Sequence, residues 1–303
     1  MSAPRTLLVT GANGHLGRLV LEDLLARDSG DRIVAASRDP SRLADLAARG
    51  VETRRADFDD PASLASAFAG VDRLLLVSTD MLAVSGQRLA QHQAAVTAAA
   101  EAGVGHLVYT SMPQPDPASP VSFAGDHRGT EAAIVASGLS HTILRNHWYF
   151  ENLFGSIGQK LASGAWYSAA GDGRLADVSR ADCARVAAAV LAGTQTGATV
   201  EEISGPEALT TAEIAALIAE VSGRPLAVIP VPDDALRATL VDAGLPSFVV
   251  DLIVTFDINT RMGRAGTVTD AVERLTGRKP EALRDVLLAN RAALADGAPA
   301  AAH

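Results

Sequence analysis

Cysteine and metal-binding patterns are scarce in this sequence. Its 303 residues include a single cysteine, Cys183, so no disulfide can form within the chain, and this usage is typical of a reducing compartment. Cys183 lies among alanines in a helical pattern, where we expect a small buried side chain. The His-Glu-x-x-His spacing and the paired cysteines of common metal sites are absent, so no metal is predicted.

Long apolar runs and basic clusters are absent as well. No run of about 18 apolar residues occurs, so no transmembrane helix is predicted, and no signal-like segment precedes the first predicted strand. The net charge of −9, without a long basic run, disfavours nucleic-acid binding. We therefore expect a cytoplasmic protein whose partner is a small-molecule substrate, with no nucleic acid and no membrane; a homo-oligomer stays open.

A glycine-rich turn is the strongest motif that is present. An apolar strand at residues 7–10 runs into Gly11-Ala-Asn-Gly-His-Leu-Gly17, and a helical pattern follows at once. Gly11 permits the tight turn, Gly14 lets the backbone approach a pyrophosphate, and Gly17 lets the helix lie close to the strand. The first N–H groups of that helix favour an anion. The motif predicts dinucleotide binding by Gly11, Asn13, Gly14, His15, Leu16 and Gly17.

The end of the second predicted strand bears on the choice of cofactor. About 20 residues after the glycines, NAD-preferring proteins commonly place an acidic residue for the ribose 2′-hydroxyl, whereas arginine accommodates a 2′-phosphate. Here the strand ends at Ser37-Arg38, which favours NADPH. The alternative, a surface Arg38 with Asp39 in the acidic role, stays open.

Two further predicted strands end in candidate binding residues. Asp57 and Phe58 follow the third strand, where an adenine ring could rest on Phe58; a loop carboxylate and a core phenylalanine are the alternative. Ser78 and Thr79 end the fourth strand, and we expect them beside the nicotinamide half of the cofactor. Both positions follow from the rule that ligands bind at the carboxyl ends of parallel strands.

Strand and helix patterns alternate up to residue 146, with the fifth and sixth strands at 106–111 and 141–146, and 48% apolar residues are enough for a sizeable core. The alternation predicts an α/β fold, with an NAD(P)-binding Rossmann doubly wound parallel sheet and a smaller C-terminal α/β lobe. We place the first domain at 1–150, with a return segment at about 174–204, and the smaller substrate-binding lobe at 151–303. Helices are predicted at 40–49 in the first domain and, in the remainder, at 147–161, 180–191, 211–221, 233–243 and 281–293.

Several stretches together resemble one family. They are TGANGHLG (10–17), VAASRDP (34–40), YTS (109–111), LRNHWYFEN (144–152), AAGDG (169–173) and RAD (180–182). They resemble the NmrA-like branch of the atypical short-chain dehydrogenase/reductases, and within it the bacterial NADPH:quinone oxidoreductases of the second type and triphenylmethane reductase. The run Arg-Asn-x-Trp-Tyr-x-Glu-Asn is the most specific part, because the nucleotide fold in general does not imply it.

The resemblance implies an NADPH-dependent reductase that uses no flavin. It implies that residues 11–17 hold the pyrophosphate and that Arg38 meets the 2′-phosphate. It further implies that Ser78 and Thr79 line the path of the ribose and nicotinamide. Four more side chains are implied to line the nicotinamide and substrate cleft: Asn146, Trp148, Tyr149 and Glu151. Of these, Tyr149 and Asn146 are the candidate catalytic residues.

The chain departs from the wider superfamily in its catalytic residues. The usual pair there is a tyrosine with a lysine four residues later, which lowers the pKa of the tyrosine. At that spacing the three tyrosines here are followed by Pro113, Leu153 and Gly171. Where the pair is often found, the chain reads His127-Arg-Gly-Thr-Glu131. These two side chains share a helix face, and a solvated surface pair is favoured over a proton relay.

Without that pair, the sequence favours an acceptor that needs no strong acid. A quinone takes hydride to give a phenolate-like anion, which water protonates readily since the pKa of a phenol is about 10. A cationic dye needs no proton at all. Trp148, Tyr149 and Phe150 are predicted as an apolar wall for a flat substrate, or as the seam between the lobes, and both can hold. Tyr149 is a candidate hydrogen-bond donor to the quinone oxygen.

Our hypothesis is therefore an NADPH-dependent reductase that transfers hydride to a quinone or a similar flat, electron-poor acceptor, without flavin or metal. Two alternatives stay open. One is an NmrA-like regulator that senses NAD(P) without turnover, and the other is an atypical reductase acting on a small natural product.

Overall fold

A computed structural model describes residues 4–296 of the chain and divides them into two compact units. The first unit contains the chain up to Met112, Asp126–Arg145 and Cys183–Glu201. The second contains Pro113–Gly125, Asn146–Asp182 and the chain from Glu202 onward. The expectation that residues 297–303 fray concerns a part of the chain outside the described residues.

The elements follow one another as strand and helix through the first unit and become mostly helical later. The strands are β1 (Thr6–Val9), β2 (Arg32–Ser37), β3 (Glu52–Arg55), β4 (Arg73–Leu76), β5 (His106–Ser111), β6 (His141–Asn146), β7 (Ala165–Ser168), β8 (Arg174–Leu175), β9 (Ala198–Ile203), β10 (Leu209–Thr210) and β11 (Ala227–Pro230). The helices are α1 (His15–Arg27), α2 (Ala44–Ala47), α3 (Pro61–Phe68), α4 (Gln87–Glu101), α5 (Ala124–Ala136), α6 (Glu151–Ser163), α7 (Arg180–Ala192), α8 (Thr211–Ser222), α9 (Asp233–Asp242), α10 (Ser247–Arg261), α11 (Ala271–Thr276), α12 (Leu283–Ala289) and α13 (Arg291–Asp296).

The central sheet has seven strands in the order β3-β2-β1-β4-β5-β6-β9. The pairs from β3 to β6 are all parallel, with Val9 beside Ala35 on one side and Leu75 on the other. The order reverses direction after β1, so the predicted doubly wound Rossmann fold is confirmed. The sheet buries a continuous apolar core that includes Leu8, Leu74 and other fully buried side chains of the strands and flanking helices.

The second unit has its own core and two small sheets. Strand β7 pairs parallel with β11, and β8 pairs antiparallel with β10. Helices α6, α8 and α12 supply most of the core, with Phe154, Ile218 and Leu287 almost fully buried. Helix α8 begins with a complete capping box, in which the side chains of Thr210 and Glu213 each bind the other residue's N–H.

Three predicted helices differ from the structure. The helix expected at 147–161 begins only at Glu151, because residue 149 forms a parallel bridge with Val178 and keeps the preceding backbone extended. The helix expected at 281–293 is divided into α12 and α13 at Asn290, whose side chain donates to the carbonyl of Val286. Residues 40–49 form a 3-10 turn followed by the single turn of α2.

The longest helix of the second unit was not predicted. Helix α10 has the sequence SFVVDLIVTFDINTR, in which valine, isoleucine and threonine are frequent. β-Branched residues have low helix propensity, so the pattern gave no helix signal. Tertiary packing overrides that preference, since Val250 and Val254 are buried in a local cluster with Leu236. None of the helices within residues 4–296 is long and apolar enough to cross a bilayer.

A buried arginine satisfies the C-terminal end of α7. Arg73, at the start of β4, is only 6% exposed and donates to the carbonyls of Val190, Leu191 and Gln195. The carbonyls of Val190 and Leu191 belong to the last turn of α7, where intrahelical donors run out, and Gln195 follows that turn. Burial lowers the pKa of Arg73 to about 10, so the guanidinium remains charged at neutral pH.

We predict that Arg73→Leu lowers the free energy of unfolding by about 2–3 kcal/mol, because several buried carbonyls lose their donor. Urea unfolding measures the loss. Arg32→Leu is the matched control, since Arg32 is exposed and pairs with Glu52 at the surface, where ion pairs contribute less than about 1 kcal/mol. Equal losses in both variants would contradict the capping role of Arg73.

Candidate functional site

The glycine turn is compressed between β1 and the start of α1. Gly11 has a φ of +62°, and Gly14 N donates to Gly11 O at 2.8 Å. A Cβ added to Gly17 would lie 2.4 Å from Gly11 O, so only glycine lets the helix start so close to the turn. The neighbouring strands hold the turn in place, because Thr10 N donates to Leu75 O and Ala12 N donates to Ala36 O.

The first turn of α1 faces a position suited to an anion. Gly14 caps the helix without a side chain, and the turn contains no acidic residue. The N–H groups that follow have no intrahelical partner, and the helix dipole makes this end positive. His15 is exposed and Leu16 is buried in the core, so of the predicted binding residues these two can serve a phosphate through their backbone.

The end of β2 separates the roles of Arg38 and Asp39. The Asn13 side chain donates to Ser37 Oγ at 2.9 Å and to Asp39 O at 3.0 Å, which ties the glycine turn to this strand end. The Asp39 carboxylate accepts from the N–H and hydroxyl of Ser41 and caps the turn that follows. Arg38 is exposed, and within residues 4–296 it makes no hydrogen bond or ion pair. This arrangement leaves the Arg38 guanidinium available to a phosphate, while one oxygen of the Asp39 carboxylate caps the next turn.

The contacts of Asp57 and Phe58 agree with the alternative of a loop carboxylate and a core phenylalanine. The Asp57 carboxylate accepts from Arg55 at 3.1 Å and from Asp59 N at 3.2 Å. The Phe58 ring packs against the core of the first unit and is only partly buried. The exposed part of the ring stays a predicted contact for adenine.

The backbone after β4 is held by side chains from neighbouring elements. Ser78 N donates to Thr110 Oγ1 at 2.9 Å. Thr79 N donates to His92 Nε2 at 3.0 Å, and Thr79 O accepts from Arg88 Nε at 2.8 Å. Both polar groups of the Thr79 backbone are therefore bound by α4, at the position predicted to lie beside the nicotinamide.

A buried polar network lies behind Thr79. Arg88 donates to His127 Nε2 at 3.0 Å, and His127 Nδ1 lies 2.8 Å from Tyr109 Oη. Guanidinium can only donate, so His127 Nε2 accepts and the ring is neutral, with its proton on Nδ1. Burial and the Arg88 charge lower the pKa of His127, and they lower that of His92 to about 3. Burial raises the pKa of Tyr109.

The interpretation of His127 and Glu131 as a solvated surface pair is wrong. His127 is 3% exposed and contacts Arg88 and Tyr109. Glu131 instead accepts from Ser111 Oγ at 2.6 Å and binds Arg145 through two parallel hydrogen bonds of 3.0 and 2.6 Å. The predicted helical spacing of the two residues is present, but the helix face that carries them packs on β5 and β6.

In the second unit, Asn146 and Tyr149 contact each other. Asn146 Nδ2 donates to Tyr149 Oη at 3.1 Å. Asn146 is 7% exposed, and among the described residues its Oδ1 has no hydrogen-bond partner. A buried acceptor without a partner costs free energy, so it indicates a place for a ligand donor. The Arg180 guanidinium lies 5.3 Å from the centre of the Tyr149 ring.

The aromatic run is divided between a surface and the core. The Trp148 ring lies 4.3 Å from that of Phe256, and Phe256 lies 6.0 Å from Phe123. Phe150, by contrast, is 3% exposed and packs with Phe154 in the core of the second unit. The prediction that Phe150 belongs to an apolar wall for substrate is therefore wrong, and Phe256, on the unpredicted α10, contacts Trp148 instead.

Glu151 binds the start of α7. Both of its carboxylate oxygens accept from Arg180 N, at 2.9 and 3.0 Å. Burial raises the pKa of Glu151, and these hydrogen bonds partly offset that effect. In this position Glu151 fixes the segment that carries Trp148 and Tyr149 to α7.

The chain is similar to known reductases along nearly its whole length. A family described as NAD(P)H-binding matches residues 11–194. Quinone oxidoreductase 2 of Escherichia coli is 35% identical over 279 residues, which cover 92% of this chain and 96% of that protein. The chain belongs to the NAD(P)H-binding family. The resemblance to NmrA-like reductases is confirmed, as is the prediction of an NAD(P)H-dependent oxidoreductase.

Solved structures of family members share this fold. An NADPH-dependent quinone oxidoreductase from E. coli, complexed with NADPH, has a TM-score of 0.87 at 35% identity and covers 92% of this chain and 98% of its own. Triphenylmethane reductase from Citrobacter sp. has a TM-score of 0.86 at 31% identity, with 96% and 99% covered.

The sequence did not predict two titratable groups with shifted pKa values, the half-buried Lys160 and the buried Asp177. Lys160 donates to Ser156, lies 4.8 Å from the Trp166 ring, and has its pKa lowered by burial to about 8. Asp177 is 4% exposed, and no hydrogen bond to its carboxyl occurs within residues 4–296. No motif marks either residue, since their burial comes from packing between distant segments.

Cys183 is fully buried, as predicted. The described residues bring together no group of three His, Cys, Asp or Glu side chains able to hold a metal.

Asp177 makes stability depend on pH. Burial raises its pKa from 3.8 to about 7, so the folded protein holds this proton more tightly than the unfolded chain. We therefore expect the free energy of unfolding to fall as pH rises from about 4 to about 7. Asp177→Asn should flatten this part of the profile and stabilise the protein by about 2 kcal/mol at pH 8.

Chemical unfolding at a series of pH values measures this profile. Asp172→Asn, an exposed aspartate in the same segment, is the control and should leave the profile unchanged. If the free energy of unfolding of Asp177→Asn depended on pH as in the parent protein, Asp177 would not be the group responsible for this dependence.

Proposed function

We propose that the protein is an NADPH-dependent reductase that transfers hydride to a quinone or a similar flat, electron-poor acceptor, without flavin or metal. The observation that carries the proposal is the state of His127. It occupies the segment where a tyrosine–lysine pair is often found, and Arg88 holds it neutral as a hydrogen-bond acceptor. A neutral and buried imidazole is a weak acid, so an acceptor that needs no strong acid fits best.

The residues of the first unit fit NADPH. Gly11, Gly14 and Gly17 let the turn and the start of α1 pack closely, since a Cβ at each would lie 3.3 Å or less from a neighbouring protein atom. The N–H groups at this helix start can then bind a pyrophosphate. Arg38 is exposed and free of protein partners in the described chain, so its guanidinium can bind a 2′-phosphate with two hydrogen bonds. The E. coli relative whose structure contains NADPH supports the same cofactor.

When bound, NADPH supplies the hydride. The task of the protein is to align a flat acceptor with it and to exclude water, and alignment alone can contribute much of the acceleration. Asn146 Oδ1 can accept from the carboxamide of the cofactor. The Tyr149 hydroxyl can donate to the acceptor oxygen, which receives its proton from water as the hydroquinone forms. Trp148 and Phe256 offer an apolar face to the ring.

The first test measures cofactor preference. With NADPH and simple quinones, we expect rapid loss of cofactor absorbance, and a slower reaction with NADH. Arg38→Asp should reverse the ratio of kcat/KM for the two cofactors, because it removes the 2′-phosphate contact and adds an acceptor for the 2′-hydroxyl. Arg32→Asp, on the same strand at its opposite end, changes the net charge equally and should leave the ratio unaltered.

Tight binding of NADPH without turnover on any quinone or dye would overturn the reductase. That result would favour the regulator that senses NAD(P). Turnover only with a small natural product would favour the second alternative, an atypical reductase that acts on such a compound.

The second test separates hydrogen bonding from hydride transfer. Tyr149→Phe should lower kcat for a quinone about tenfold, because the developing phenolate loses its donor. The same variant should leave reduction of a cationic triphenylmethane dye nearly unchanged, since that product needs no proton. Tyr167→Phe is the matched control, because Tyr167 is 46% exposed in the same unit. Equal losses with quinone and dye would contradict a donor role for Tyr149.

A further inference from the structure

The first residue of α7 places a positive charge beside the Tyr149 ring. The Arg180 guanidinium carbon lies 5.3 Å from the centre of that ring, and Arg180 Nη2 donates to Asn152 Oδ1 at 3.4 Å. The negative face of an aromatic ring attracts a cation, so the ring and Asn152 hold the guanidinium at this place. Arg180 is partly buried, and an arginine stays charged at neutral pH. The second unit therefore contains a fixed cation next to the residue proposed to contact the acceptor oxygen.

Fold stability is a weak explanation for a cation at this position. Arg180 is the first residue of α7, at the positive end of the helix dipole, where a cation is disfavoured. The helix start is already bound by an acidic side chain, because both carboxylate oxygens of Glu151 accept from Arg180 N, at 2.9 and 3.0 Å. This contact uses the backbone of Arg180 and not its side chain. We therefore expect α7 to form without the guanidinium.

The Tyr149 hydroxyl connects this cation with the acceptor. Asn146 Nδ2 donates to Tyr149 Oη at 3.1 Å, so the hydroxyl accepts from Asn146 and can donate its own proton to another oxygen. An acceptor oxygen bound there would be one hydrogen bond away from the side chain whose ring Arg180 contacts. Over such a separation, in a partly buried site, one charge alters the energy of another enough to change a rate several-fold.

We propose that Arg180 is a specificity-determining residue, whose positive charge favours acceptors that become anionic over acceptors that are cationic. This inference rests on the proposed function, since it requires the acceptor to lie at Tyr149. A quinone gains two electrons and one proton as hydride, becomes the hydroquinone monoanion, and takes its second proton from water. Arg180 stabilises the negative charge that develops. A triphenylmethane dye is a cation that hydride converts to a neutral product, so Arg180 opposes its binding.

Glu151 acts on the same charge. Burial raises the pKa of Glu151, and the charge of Arg180 partly offsets that effect, so the two groups interact. Glu151 stays in place when the Arg180 side chain is replaced, because it binds the backbone N–H. The substitution therefore removes one positive charge from the site while Glu151 remains, and the quinone and the dye should respond with opposite signs.

The experiment compares Arg180→Gln with the parent protein, with NADPH and either menadione or the cationic dye crystal violet, at about pH 8 so that Glu151 is ionised. Arg180→Gln should lower kcat for menadione about fivefold, because the developing anion loses a stabilising charge, and should leave KM for this neutral quinone nearly unchanged. The same variant should lower KM for crystal violet about threefold. Where the dye is not reduced, its inhibition constant against menadione measures the same change.

Three further variants separate charge from structure. Arg180→Met keeps the apolar stem of the side chain and should give the same two changes, so it decides the matter if Arg180→Gln does not fold. Arg180→Lys keeps the charge and should keep most of the preference for the quinone. Arg174→Gln removes an exposed charge from the same unit, where Arg174 pairs with Glu213, and should leave both acceptors unaffected.

Two results would overturn the inference. One is an equal loss of kcat/KM for menadione and for crystal violet, as expected from a purely structural arginine. The other is a folded variant without the charge whose constants for both acceptors match those of the parent protein. Failure of the parent protein to reduce any quinone with NADPH would instead contradict the proposed function.

Discussion

The structure depends on the contact between the start of α1 and the carbonyl of Gly11. The space for a Cβ at position 17 is already occupied, since that atom would lie 2.4 Å from Gly11 O. The contact brings the positive end of the helix over the ends of β1, β2 and β4, and backbone hydrogen bonds from the turn reach Ala36 and Leu75. An anion at this end of the helix is fixed relative to the sheet, and the residues predicted to bind the rest of the cofactor follow β2, β3, β4 and β6.

The parts of the fold that local sequence determines could be predicted. Strands β5 and β6 were expected at their observed bounds, because each is a short run with buried side chains between turn residues. The glycine turn could be predicted because each glycine is needed for a backbone conformation or contact that involves residues close to it in the sequence. The role of Arg38 stays a prediction of the same local kind, and it agrees with the contact of the Asp39 carboxylate with Ser41.

The parts that distant contacts determine could not be predicted. Residues 147–150 have a helical pattern, yet the bridge between Tyr149 and Val178 and the hydrogen bond from His147 N to Ile203 O keep residues 147–149 out of the helix. Helix α10 is rich in β-branched residues and forms because packing overrides propensity, so Phe256, which contacts Trp148, was missed. The helical spacing of His127 and Glu131 was visible, but only the tertiary structure shows that this face packs on the sheet and not against water.

The chemistry of the site follows from the same burial. Arg88 can be held in the interior only where acceptors receive its donors, and one of these acceptors is His127. A histidine that accepts from a guanidinium is held as the neutral ring, so this contact keeps a strong general acid out of the segment behind Thr79. The proposed acceptors, which stabilise negative charge themselves or are cationic before reduction, fit this arrangement because they need no such acid.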